Sequence, residues 1–110
     1  MNLYEMTEEM TRLSGLLDAG IQTLAAASKE AAHADFELRK ATAIAWTNAP
    51  KGTVPQREAH VEAETAELKR ALDLAEGTRY TALEAVRSRR TQMSALQSLM
   101  AAHRAEAELA

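Results

Sequence analysis

The stretch NAPKGTVPQRE, residues 48–58, holds both prolines of the chain and one of its four glycines. Pro50 disfavours a helical backbone at the residue before it, because the proline ring clashes with that residue. Gly52 can take a positive φ angle without steric cost. The rest of the sequence contains no comparable break, so this stretch predicts a single turn between two long helices.

The start of the second helix is predicted by Thr53 and Gln56. They match a capping box, in which each side chain bonds the backbone N–H of the other residue. Pro55 then falls in the first turn, where its missing N–H costs little. Asn2, three residues before a glutamate, is a second candidate cap. The predicted elements are a first helix of about residues 3–47, a turn at 48–53 and a second helix of about 54–108.

The composition agrees with one all-α domain over residues 1–110. Alanine occurs 24 times, only four residues are aromatic, and cysteine is absent. Alanine with Glu, Leu, Arg and Lys is typical of long helices and coiled coils. The missing cysteines exclude disulfides and thiolate chemistry and fit a cytoplasmic protein. No apolar run approaches bilayer length, the N-terminus is acidic rather than signal-like, and the net charge of −3 argues against a free-standing nucleic-acid binder.

Apolar residues of the first helix repeat every seven residues in two seams, as the a and d positions of a coiled coil do. The first seam consists of Leu3, Met10, Leu17, Leu24, Ala31, Leu38 and Ala45. The second consists of Met6, Leu13, Gly20, Ala27, Ala34 and Ala41.

The second helix shows the same repeat less cleanly. Its seams are Thr65, Leu72, Arg79, Val86, Met93 and Met100, and Leu68, Ala75, Ala82, Arg89, Leu96 and His103. Leu83 and Leu99 are expected to widen the apolar stripe on this side. Arg89 stands where an apolar residue is due. Either it extends to an acidic residue of helix 1 or of a second protomer, or it is a buried specificity element.

A short turn between long helices predicts an antiparallel hairpin. If the turn centres near Lys51, the sequence positions of two residues that face each other across the hairpin add to about 102. Gly20 would then face Ala82, and Gly77 would face Ala25, so that the backbones approach closely at both glycines. Helix 2 is expected to continue through Gly77, with a local kink as the alternative.

One hairpin buries little surface, and several large apolar residues fall outside the seams. These residues are Leu16, Ile21, Phe36, Ile44 and Leu74. We expect them to cover a second surface, most simply in a homodimer that packs two hairpins into a four-helix bundle.

Arginines cluster near the C-terminus. Residues 79–104 carry five arginines and one glutamate, whereas residues 1–23 carry four acidic residues and one arginine. The expected arrangement is charge complementarity across the hairpin or between protomers. The alternative is a phosphate-binding patch that contacts nucleic acid through the segment Arg87–Arg90.

Signals for chemistry are weak. Glu30 and His33 have the Glu-x-x-His spacing of di-iron bundles, but they lie beside the seams and occur once, so no metal or other cofactor is predicted. No nucleophile–base pair or phosphate-binding loop can be recognised, and an enzyme is not expected. Trp46, at the end of helix 1, is either an apolar plug for the hairpin tip or a partly exposed anchor for a partner.

Two segments, KGTVPQREAHVEAETAEL and RSRRTQMSALQSLMAAHRAEAEL, resemble small coiled-coil proteins of bacteriophages and prophages, notably of actinobacteria. The resemblance covers roughly residues 40–109. It implies an accessory or adaptor in phage DNA recombination or replication that acts through protein contacts and has no catalytic residues. The recognition residues it suggests lie along one side of helix 2: Arg87, Arg90, Gln97 and Arg104.

A hairpin with tryptophan near its turn also resembles the WXG100 family of secreted helical hairpins. The corresponding residues are Trp46, Thr47 and Asn48, so the defining glycine is missing. Tyr80 and Glu84 match the spacing of the export signal of that family. This resemblance implies a secreted partner protein as an alternative.

Overall fold

A computed structural model describes residues 1–109 of the chain. Helix α1 spans Leu3–Asn48 and helix α2 spans Val54–Leu109. A five-residue turn joins them into a helical hairpin. The predicted all-α class is confirmed, and each helix end lies within one residue of its predicted position.

Side-chain caps define where both helices begin. The backbone N–H of Glu5 donates to Oδ1 of Asn2 at 2.8 Å. At α2, the N–H of Gln56 donates to Oγ1 of Thr53 at 3.4 Å, and the N–H of Thr53 donates to Oε1 of Gln56 at 3.0 Å. The predicted capping box is therefore confirmed, and it satisfies two backbone donors that have no partner within the helix.

Gly52 serves a different purpose from the expected one. No residue in the range 1–109 has a positive φ angle, so Gly52 does not use the left-handed conformation that glycine permits. A Cβ atom at this position would lie only 2.5 Å from Oε1 of Gln56. Glycine therefore leaves room for the side chain that caps Thr53.

The chain divides into two compact units, which both helices enter. Unit 1 combines Met1–Ala25 with the chain from Thr81 onward, and unit 2 is Ala26–Tyr80. In unit 1, Met6, Leu13 and Leu96 form a buried cluster against which three half-buried methionines pack: Met10, Met93 and Met100.

Unit 2 has a core of small residues. Its buried positions are Ala27, Ala31, Ala45, Val61 and Thr65. Thr65 is fully buried, and its hydroxyl donates to the backbone carbonyl of Val61 at 2.8 Å. A buried hydroxyl is tolerated here because the carbonyl oxygen one turn earlier accepts a hydrogen bond from it.

The predicted seams agree with the observed burial. Every predicted seam residue of α1 except Leu3 is buried or half-buried, and so are all of those of α2. Leu83 is half-buried as expected. Leu99 is 57% exposed, so the expectation that it widens the packed stripe is wrong.

The predicted register is wrong by one helical turn. A Cβ atom on Gly20 would lie 3.4 Å from Cγ2 of Val86, and these two numbers add to 106 rather than 102. The predicted register was counted from the centre of the turn. It assumed that α1 and α2 pack against each other from the residues next to the turn onward. The first turn of α2 instead supplies caps, and Val54 at its start is exposed.

Helix α2 continues through Gly77, as predicted. The predicted close approach of another backbone is wrong, because Gly77 is exposed and a Cβ atom on it would meet nothing within 4 Å among the described residues. This glycine therefore has no packing role that would compensate for its low helix propensity.

We expect Gly77→Ala to raise the free energy of unfolding by about 1 kcal/mol, because alanine loses less backbone entropy in a helix. Urea denaturation followed by circular dichroism measures this difference. Gly15, which is also exposed and has open space around its Cβ position, is the matched site on α1, where Gly15→Ala should give a similar gain. A loss of stability at Gly77 would contradict an unstrained helix there.

Candidate functional site

The predicted partner-binding residues divide between the two units. Arg87, Arg89, Arg90, Gln97 and Arg104 belong to α2 in unit 1, and Trp46 belongs to α1 in unit 2. We refer to Arg87, Arg90, Gln97 and Arg104 as the arginine side. All four of these residues are exposed.

The arginine side presents charges that the fold does not neutralise. Nη1 of Arg87 donates to Oε1 of Glu84 at 2.9 Å. Arg90 and Arg104 have no ion-pair partner within residues 1–109. Positions 90, 97 and 104 recur every seven residues and therefore form a row along one flank of the seam. Two unpaired guanidinium groups separated by an amide are thus available to a partner.

Charge complementarity across the hairpin was expected, but the structure shows no ion pair between the helices over residues 1–109. All four observed pairs join residues three or four positions apart on one helix: Glu9–Arg12, Asp35–Arg39, Glu76–Arg79 and Glu84–Arg87. Residues at these spacings are neighbours on a helix surface, so each of these arginines pairs with an acidic residue of its own helix. Pairing between protomers stays a prediction.

Arg89 is half-buried at its seam position. Its Nη1 donates to Oε1 of Gln92 on the same helix at 3.1 Å. It does not extend to an acidic residue of α1 in the described part of the chain, and it is not fully buried. Its aliphatic stem can cover the seam while the guanidinium reaches the surface, as long basic side chains commonly do.

The opposite flank of the seam in unit 1 carries an apolar groove, which we call the leucine groove. Its apolar lining residues are Met1, Leu13, Ala95, Leu96 and Leu99, and its polar ones are Glu9, Arg12 and Gln92. Met1 is 70% exposed and Leu99 is 57% exposed. The groove therefore exposes apolar side chains directly beside the core cluster of unit 1.

The two charged side chains in the leucine groove neutralise each other. Nε of Arg12 donates to Oε2 of Glu9 at 2.9 Å, and a second contact joins Nη2 and Oε1. These hydrogen bonds lower the pKa of Glu9 and raise the pKa of Arg12. Both groups are therefore ionised at neutral pH, and the pair adds no net charge to the groove. Arg89 reaches the groove edge through its bond to Gln92.

No protein-family model, curated protein or solved structure matches this chain.

Trp46 is held at the tip of unit 2 by Arg57. The guanidinium carbon of Arg57 lies 5.7 Å from the centre of the indole ring, and Nη2 donates to the backbone carbonyl of Trp46 at 3.2 Å. The tryptophan is 36% exposed, and Val54 at the start of α2 is 63% exposed. The ring is therefore partly exposed, with the guanidinium of Arg57 over it.

Glu30 and His33 are both exposed on α1. Within the part of the chain that the structure describes, no group of three or more His, Asp or Glu side chains could hold a metal ion. Over the same residues, neither helix is long and apolar enough to cross a membrane.

Sequence reasoning identified the arginine side but missed the leucine groove and the stacking of Arg57 on Trp46. Heptad positions could have indicated the groove, since Glu9 and Leu99 both occupy the g position and lie on one flank of an antiparallel pair. The Arg57 contact depends on how the turn folds back, which residue spacing does not encode.

Proposed function

We propose that the protein is a non-enzymatic accessory or adaptor that acts through protein–protein contacts. The observation that supports this most directly is the arginine side, where the exposed cations Arg90 and Arg104 have no ion-pair partner within residues 1–109. A planar guanidinium binds carboxylates through paired hydrogen bonds, so an acidic surface of another protein is the partner chemistry that fits.

We place this role in a bacteriophage or prophage, in the cytoplasm of the bacterial host and in DNA recombination or replication. The support is the resemblance of residues 40–109 to small phage coiled-coil proteins. The WXG100-like alternative is weaker, because Asn48 stands where the defining glycine of that family would be.

Direct nucleic-acid binding through the segment Arg87–Arg90 is the second candidate. In that segment Arg87 is paired with Glu84 and Arg89 is bonded to Gln92, which leaves Arg90 without a partner among the described residues. Affinity for nucleic acid grows with the number of phosphates that a protein neutralises. A single unengaged arginine in the segment and a net charge of −3 therefore favour a protein partner.

We also propose that two hairpins pack into a four-helix bundle. Thirteen large apolar side chains are exposed among residues 1–109 of the isolated chain, among them Leu16, Ile21, Phe36, Ile44 and Leu74. Burial of such side chains stabilises an oligomer by roughly 25 cal/mol for each Å² of apolar surface removed from water. Size-exclusion chromatography with light scattering tests this, and a 12 kDa monomer at all concentrations would refute it.

The adaptor proposal predicts the effect of reversing the two unpaired charges. Arg90→Glu/Arg104→Glu should reduce capture of an acidic protein from the native host at least ~10-fold, because opposite charges across an interface become like charges. Quantitative mass spectrometry of the captured proteins measures this. The matched control is Lys69→Glu/Arg70→Glu, which makes the same charge change at exposed positions of α2 in unit 2 and should leave capture unchanged.

The same variants separate the two candidate functions. Mobility-shift experiments with single- and double-stranded DNA at two salt concentrations should show no specific shift for the wild type. A salt-sensitive shift that Arg90→Glu/Arg104→Glu abolishes, and that the control variant retains, would establish nucleic-acid binding instead.

A further inference from the structure

We draw no further inference here: the strongest candidate, the leucine groove beside the core cluster of unit 1, is an unpartnered apolar surface, and nothing in the structure shows what covers it.

Discussion

Replacing Leu13 by alanine is expected to lower the free energy of unfolding by about 3 kcal/mol, because the change removes three buried carbon atoms and leaves a cavity. Leu13 is 3% exposed and belongs to the cluster with Met6 and Leu96. The loss is measured from urea denaturation at one fixed protein concentration, so that oligomerisation contributes equally to each variant.

Leu109→Ala is the matched control for Leu13→Ala. The side chain of Leu109 is 89% exposed at the end of α2. Its truncation should change the free energy of unfolding by less than about 0.5 kcal/mol, as surface substitutions usually do. Equal losses at the two positions would show that the cluster of unit 1 is not the part of the chain that limits its stability.

Replacing Val86 by alanine is expected to lower the free energy of unfolding by about 2 kcal/mol. The change removes two methyl groups at a site where the neighbouring residues cannot move in to fill the space. Val86 is 2% exposed, and it packs beside Gly20, which has no side chain with which to fill the space. The same denaturation experiment measures the loss.

A second substitution at Gly20 makes this prediction specific. In the Val86→Ala background, the methyl group of Gly20→Ala enters the vacated space and should recover about 1 kcal/mol, including its better helix propensity. In the wild type the added Cβ would meet Cγ2 of Val86 at 3.4 Å, so the gain should be smaller. The two substitutions should therefore be non-additive by roughly 0.5–1 kcal/mol. Strict additivity would show that the register described here is wrong.

Local signals in the sequence determined much of the fold. The Asn2 cap and the Thr53–Gln56 box fix both helix starts, because they depend on residues within one turn of each other. The seven-residue repeat identified the packed positions, since it depends only on helix geometry. Even Arg79, Arg89 and His103 at seam positions proved half-buried.

Relations between distant residues were harder to predict. The register was misplaced by one turn because the path of the chain through residues 49–53 is not encoded by any repeat. The ion pairs were misassigned because net charge over a segment does not show that Glu9 and Arg12 already satisfy each other. The residues of the arginine side were named from the resemblance to phage coiled-coil proteins, and the structure confirms only that they are exposed. The leucine groove was missed because Leu99 was assigned to the core.

Four of the five methionines of the chain lie in the cluster of unit 1, and unit 2 contains none. Thioethers are flexible and fill irregular space well, but an oxidant converts them to polar sulfoxides. Met10, Met93 and Met100 are only half-buried, so part of each residue is open to a peroxide without prior unfolding. The packing of unit 1 is consequently sensitive to oxidation, whereas the alanine, valine and threonine core of unit 2 has no group that reacts in this way.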